Sequence, residues 1–323
     1  MRKVVLLQAM LVFGAMGWAG VAAAQQLSCK ILRIINPAAP GGNSDIVYRV
    51  ISGKLGEALG QLPVFDYRPG AGGIIGADIT AKSAPDGCTT AVVAASFVIN
   101  PSMVKKLPYD TVKDFTPLGL IVDIPTTVAV HPSLPVKNVK ELVALARTRP
   151  GQLFYSSSGS GTVGHLAGEL LGSAAGIKLT HVAYKGMGPA AVDLVAGHVQ
   201  LAFASISIVI ENVRTGRLRM IAQCGAERSP VLPDVPTMIE SGIKDYVVSS
   251  GFSFVGPANI PRPIAERLNG ALMKAVHDPG VRKDLISRGA DPVGNTIDQH
   301  AAYIKTEIEK WRKVVTAAGI PPL

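Results

Sequence analysis

Short apolar runs alternate along the chain with longer stretches whose apolar residues recur every three to four positions. Ile31-Leu32-Arg33-Ile34-Ile35 predicts a strand that ends at Asn36-Pro37. A helix follows over 44–59, with Ile46, Val50, Ile51 and Leu55 on one face, Asn43 or Ser44 as its cap and Gly60 as its stop. A strand over 63–66, a helix from near Ile74 to the Pro85-Asp86-Gly87 turn, and a strand over 89–94 complete a βαβαβ unit. Ser96 lies just past the carboxyl end of that last strand.

Two extended runs, 118–124 and 126–130, lead into a second unit. It reads as a helix over 137–147, a strand over 152–155, a helix ending at Gly176, a strand from His181, a helix from Pro189 to near Gly197, and strands over 199–204 and 217–223. A proline-rich surface loop spans 230–236, and the apolar run 247–255 reads as a return crossing. Helices over 263–275 and 281–288 follow. The last helix opens at Thr296 with Gln299 in capping-box spacing, buries Ile304, Ile308, Trp311 and Val315, and stops at Gly319. The pattern predicts an α/β protein of two domains: 27–124 plus 250–323 form a discontinuous one, and 125–249 the other. Two crossing strands make a hinge, and the cleft lies between the domains.

The amino terminus changes the compartment. Arg2 and Lys3 precede an apolar run over 4–21, and Ala22-Ala23-Ala24 offers small residues for cleavage, so 1–24 reads as a secretory signal peptide. No twin arginine precedes the run, so the chain is expected to cross the membrane unfolded and without a cofactor. Periplasmic export is the expected address. The remaining chain of about 300 residues exceeds one comfortable core and suits two domains. The formal net charge is +9, two of it in Arg2 and Lys3. The basic residues are spread out, without the dense basic and aromatic interleaving of a nucleic-acid site, and their field favours anions. Three cysteines, Cys29, Cys88 and Cys224, lack metal-ligand spacing. Cys29 and Cys88 each precede a strand. If those strands are parallel neighbours, a disulfide is open to them in an oxidising compartment, but the pairing geometry is not in the sequence.

The chemistry concentrates in two loops. Ser156-Ser157-Ser158-Gly159-Ser160-Gly161-Thr162-Val163-Gly164-His165 follows a strand and opens a helix. Pro37-Ala38-Ala39-Pro40-Gly41-Gly42-Asn43-Ser44-Asp45 does the same. Each offers N–H groups at the positive end of a helix, the first with several hydroxyls, which suits an anion. Asp45 complements its own helix dipole. Gly159-x-Gly161-x-x-Gly164 matches the dinucleotide spacing, but the next strand ends without the acid that holds a ribose. Ser160 lacks the flanking glycines of a nucleophile elbow, although a Ser160–His165 dyad would permit a hydrolase. No paired carboxylates or metal cluster stand out. The reading is that the two loops face each other and hold one small carboxylate. Its candidate ligand-binding residues are Ala38, Ala39, Gly41, Gly42, Ser44, Asp45, Ser96, Ser157, Ser160, Gly161, Thr162, His165, Ala204 and Ser205.

Those loops, together with Arg68-Pro69-Gly70-Ala71-Gly72-Gly73, Ala84-Pro85-Asp86-Gly87, Ile99-Asn100-Pro101, Gly161-Thr162-x-x-His165-Leu166-Ala167-Gly168-Glu169, Tyr184-Lys185-Gly186 and Leu232-Pro233-Asp234-Val235-Pro236-Thr237, follow in family order. The chain after residue 24 resembles the extracytoplasmic solute-binding proteins of tripartite tricarboxylate transporters, the Bug family. The resemblance implies a two-domain periplasmic binding-protein fold with two crossover strands. It implies a carboxylate pinched between the loops, partly through water, and delivery to membrane permease subunits by a monomeric receptor. A ligand-presenting sensor component is the alternative. The chain departs from the family at four places. It has Ala38 where an aromatic is usual, Ala204 for an aspartate, Tyr67 for an asparagine and Gly251 near a usual tryptophan or similar bulk. The missing aspartate argues against an amino-bearing ligand. The two large-to-small differences imply room for a bulkier acid.

Overall fold

The computed structural model describes residues 27–322 apart from Ala39, Gly41, Gly42 and Lys185. The predicted signal peptide, 1–24, and the candidates Ala39, Gly41 and Gly42 lie outside the described residues. In chain order the elements are β1 (Ile31–Asn36), α1 (Asn43–Leu59), β2 (Leu62–Tyr67), α2 (Ile74–Ala81), β3 (Thr89–Val93), α3 (Ser96–Met103), β4 (Phe115–Val130), α4 (Val139–Thr148), β5 (Phe154–Ser157), α5 (Val163–Ala175) and β6 (Thr180–Ala183). Then come α6 (Met187–Ala196), β7 (Leu201–Ser205), α7 (Ile206–Arg214), β8 (Arg219–Gln223), β9 (Ser249–Pro257), α8 (Arg262–His277), α9 (Pro279–Ser287), β10 (Asp291–Pro292) and α10 (Ile297–Ala317).

The strands form one path, β2-β1-β3-β9-β4-β7-β5-β6, with β8 and β10 also paired to β4. β1, β2 and β3 are parallel, as are β5, β6 and β7. β4 and β9 run antiparallel to each other and join the two lobes. The two extended runs predicted over 118–130 are one 16-residue strand. It pairs with β9 up to Pro125 and with β7 and β8 from Thr126 onward. Successive strand residues face opposite sides of the sheet. Leu32 and Ile34 therefore meet the buried stripe Val47, Ile51 and Leu55 of α1, while Ile35 faces the opposite core with Ala77 and Phe97. This two-sided burial explains why β1 is almost continuously apolar.

Two helices were absent from the sequence reading. α3 was hidden by Pro101, which lies inside it. A proline removes the N–H that would bond four residues back; the freed Phe97 carbonyl accepts the Thr111 hydroxyl at 3.5 Å instead. α7 was hidden by Ser205-Ile206-Ser207-Ile208, which alternates like a strand. Tertiary packing decides for helix by burying Ile206 and Val209 on one side. The capping box at Thr296 and Gln299 forms as predicted, with bonds of 3.2 and 3.0 Å. Gly176 ends α5 with φ of 61°. Asn43 and Ser44 lie inside α1, and their side chains turn to other partners described below.

α10 straps the lobes together. Ile304, Trp311, Val314 and Val315 are buried along it, and it packs against α3, β4 and α5. Its His300 Nδ1 accepts the Gly119 N–H of β4 at 2.9 Å, while Nε2 is buried without a partner. Burial holds this ring's pKa down at about 3. A folded pKa below the unfolded value means that the stabilisation is full above the ordinary histidine range and is lost as pH falls toward 3. The gap in melting temperature between the wild type and His300→Asn should therefore narrow as pH is lowered from about 7 to 4. A constant gap would contradict the assignment. Cys29 and Cys88, at the same end of parallel neighbours β1 and β3, form a disulfide with Cα atoms 5.9 Å apart. Replacing both by serine should lower the unfolding free energy by about 2–4 kcal/mol in urea titrations; an unchanged midpoint would contradict a stabilising bridge.

Candidate functional site

Ser156 and Ser157 are the last residues of β5, not part of the loop, and both are fully buried. Ser157 Oγ sits 2.7 Å from His181 Nε2, accepts the Gly159 N–H at 3.1 Å and lies 3.0 Å from the Gly159 carbonyl. Thr162 Oγ1 donates to the same carbonyl at 2.7 Å. These two hydroxyls shape the loop from beneath. The glycine spacing has a local cause. Gly159 and Gly161 have φ of 143° and 76°, which other residues adopt only under strain. A Cβ at Gly164 would come within 2.6 Å of the Phe203 carbonyl, so this glycine lets α5 pack on β7.

His165 was a candidate contact, but its ring lies under the loop and is 8% exposed. It stacks on His181 with centroids 4.0 Å apart. Its Nδ1 accepts the Gly161 N–H at 3.1 Å, and its Nε2 is 3.9 Å from Glu169 Oε1. Tyr155 Oη donates to Glu169 Oε1 at 2.7 Å. Burial lowers the pKa of both rings, opposed at His165 by Glu169; His181 falls to about 4, helped by the adjacent His165. Both rings are therefore neutral at pH 7. A hydrolytic dyad would need a His165 nitrogen turned to Ser160. Both nitrogens face elsewhere, and Ser160 stands exposed at the loop's tip.

In the other loop, Asn36 ends β1 fully buried, and its Oδ1 accepts the Ala38 N–H and the Ser44 hydroxyl, each at 3.1 Å. Asp45 is buried, accepts the Tyr67 hydroxyl at 2.6 Å and faces Arg49 at 3.2 Å. Tyr67 thus uses its extra bulk to hold Asp45. Ala38 is exposed and Ser96 half-buried. Gly76 must stay small here, while Gly73 is favoured by its φ of 92°. A Cβ on Gly76 would sit 3.0 Å from Pro37, and one on Gly73 3.5 Å from Ser96 Oγ. The β2–α2 turn thereby closes against the start of the β1–α1 loop.

Near these loops, two contacts among the described residues cross between the lobes. Asn43 Nδ2 donates to Ser205 Oγ at 3.4 Å, and Ser207 Oγ donates to Asn43 Oδ1 at 3.5 Å. A Cβ on Gly161 would lie 3.3 Å from Met103 Cε. The start of α1 therefore faces the start of α7, while the β5–α5 loop faces the end of α3. Asn43, Met103 and Ser207 were missed. The signal for Ser207 was the Ile206, Val209 and Val213 spacing of an unrecognised helix. Two of the positions that depart from the family are packed. Ala204 is 3% exposed, and its methyl belongs to an apolar cluster with Ala129, Ile206 and Val209. The room expected at Gly251 is occupied, because a Cβ there would collide with the Tyr303 hydroxyl.

The helix starts differ in how they are capped. α2, α3, α5, α6 and α7 start at strand carboxyl ends, and none has a side-chain cap bond. α4, α9 and α10 are capped by Asn138, Asp278 and Thr296. α8 carries Pro263 in its first turn, which removes a donor. The first N–H groups of a helix have no intrahelical acceptor. At α3 backbone carbonyls take up these donors, the Phe97 N–H bonding to Ala94 and the Val98 and Ile99 N–H groups to Ala95, whereas α5, α6 and α7 turn uncapped positive ends outward from parallel strands, the arrangement that binds an anion. Among the described residues no group of three or more His, Cys, Asp or Glu is placed to hold a metal ion.

Residues 47–320 match the model of the tripartite tricarboxylate transporter family receptor. The chain is 34% identical over 306 residues to protein BugT of Bordetella pertussis, covering 93% of this chain and 94% of that one. Among solved structures, an R. palustris protein with adipate superposes with a TM-score of 0.83 at 33% identity, covering 92% of this chain and 99% of that chain. MatC from Rhodopseudomonas palustris with bound malate gives 0.78 at 30% identity, covering 89% and 99%. The two parallel lobes joined by antiparallel crossings are thus a two-domain periplasmic binding-protein fold, in a family of solute-binding receptors rather than enzymes. The chain belongs to the tripartite tricarboxylate transporter receptor family, the family of the Bug proteins.

Proposed function

We propose that this protein is a periplasmic receptor that captures a small dicarboxylate between its lobes and delivers it to a tripartite membrane permease. The observation that carries the reading is the uncapped start of α5, with that of α7 in the same lobe, in a family whose solved members hold adipate and malate. One carboxylate lies against the first turn of α5, with Ser160, Gly161 and Thr162 around it. The other end points toward the β1–α1 loop and Ser96. Each charge-assisted hydrogen bond contributes about 1.5–3 kcal/mol, so three or four support micromolar binding at about −8 kcal/mol. No helix among the described residues is long and apolar enough to cross a membrane, consistent with a receptor that visits its permease.

The domains run over 27–124 plus 250–323 and over 125–249, and they turn about the paired crossings of β4 and β9 near Pro125 and Ser249. Ligand favours the closed arrangement because only there do donors from both lobes meet one molecule. Small-angle scattering should show compaction on adding a saturating dicarboxylate; an unchanged profile despite saturation would contradict the clamshell.

A thermal-shift screen of mono-, di- and tricarboxylates and amino acids tests the ligand class. Dicarboxylates should give the largest shifts, equivalent to about 2.7 kcal/mol at a hundredfold excess over Kd, and amino acids none. Gly161→Val and Thr162→Val should abolish the response. An amino acid as the best ligand, or a response indifferent to both substitutions, would overturn the proposal.

A further inference from the structure

Ser160 and the orphan N–H groups of α5 share a target only while the chain between them holds its turn. Gly161, at φ of 76°, is the pivot. Its N–H is donated to His165 Nδ1 at 3.1 Å, a side chain one turn further on. One neighbour packs on that ring and another holds the backbone of the same residue. The ring stacks on His181 of β6 at 4.0 Å, and the Tyr155 hydroxyl of β5 lies 3.0 Å from the His165 carbonyl. An Nδ1 that accepts must carry its proton on Nε2 in the neutral ring, and Nε2 faces Glu169 of the same helix at 3.9 Å.

We propose that His165 is a positioning residue that never touches the ligand: as an Nδ1 acceptor it fixes Gly161, and so aims Ser160 and the first turn of α5 at a bound carboxylate. The proposal rests on the carboxylate reading above for its ligand, but the Gly161–His165 bond is testable without one. Asparagine at 165 offers Oδ1 as an acceptor at about the same reach as Nδ1. Leucine fills the space and accepts nothing.

The first arm of the experiment uses ligand-free protein. Long-range proton–nitrogen correlation of 15N-labelled wild type should show His165 as the Nε2–H tautomer with an accepting Nδ1. This measurement needs no variant to fold. Exchange of the Gly161 amide should be about tenfold faster in His165→Leu and return toward the wild-type rate in His165→Asn. The second arm titrates adipate and malate calorimetrically into the same three proteins. His165→Leu should bind about tenfold more weakly and His165→Asn within about threefold of wild type, since a lost hydrogen bond is worth about a factor of ten. An Nδ1–H tautomer, equal Gly161 exchange in all three proteins, or equal affinities would overturn the proposal. If the first arm succeeds and no protein binds either acid, the carboxylate reading fails. The aiming role then falls with it, although the Gly161–His165 bond stands.

Discussion

Unsatisfied N–H groups at helix starts are the constraint on which this architecture turns. A buried or semi-buried backbone donor without a partner costs free energy, and a helix can answer with a side-chain cap. Here α4, α9 and α10 do so through Asn138, Asp278 and Thr296. α5, α6 and α7, which leave the strands β5, β6 and β7, do not, and because those strands are parallel the three starts come to one edge of their lobe. The molecule thus keeps a set of donors unspent where two lobes meet. The loops beneath are built to keep them so. Ser157 and Thr162 satisfy Gly159, and His165 satisfies Gly161, while the N–H groups of the first turn of α5 are left for something else.

The two lobes need a joint that is both strong and able to turn. β4 supplies strength by belonging to both: it pairs with β9 in one lobe and with β7 and β8 in the other. α10 covers this joint. Near it Asp123 and Asp291 face each other across β4 and β10, and Lys310 stands close to Asp123. Burial raises the pKa of both acids, and the neighbouring Asp123 helps to lift Asp291 to about 6. A shared apolar cluster under α10 contains Ile304 and Trp311 together with Leu166 and Leu171 of α5, so one lobe's last helix is packed into the other lobe's core.

Much of this was legible in the sequence because its signals are local. Parallel strands read as apolar runs, Thr296 and Gln299 read as a capping box, and Gly60 and Gly176 read as helix stops. What failed depended on partners far along the chain. α7 looks like a strand until Ile206 and Val209 are seen to share one buried side, and α3 looks broken until Thr111 takes up the Phe97 carbonyl. The same holds for the site. The glycine-rich loop announced itself, but whether His165 faces a ligand or Gly161 is decided by His181, a strand away. Ala204 and Gly251 carried meaning only by family comparison. In the fold Ala204 is packed under α7, and Tyr303 fills the space at Gly251.

The central claim is that backbone donors at the start of α5 receive the ligand. A titration of adipate followed through backbone amide resonances addresses it directly. The amides of Val163 and Gly164 should show the largest downfield proton shifts and saturate together with the ligand, as expected for N–H groups that gain a carboxylate acceptor. Saturable binding that leaves both resonances in place, with the large shifts elsewhere in the chain, would contradict the account.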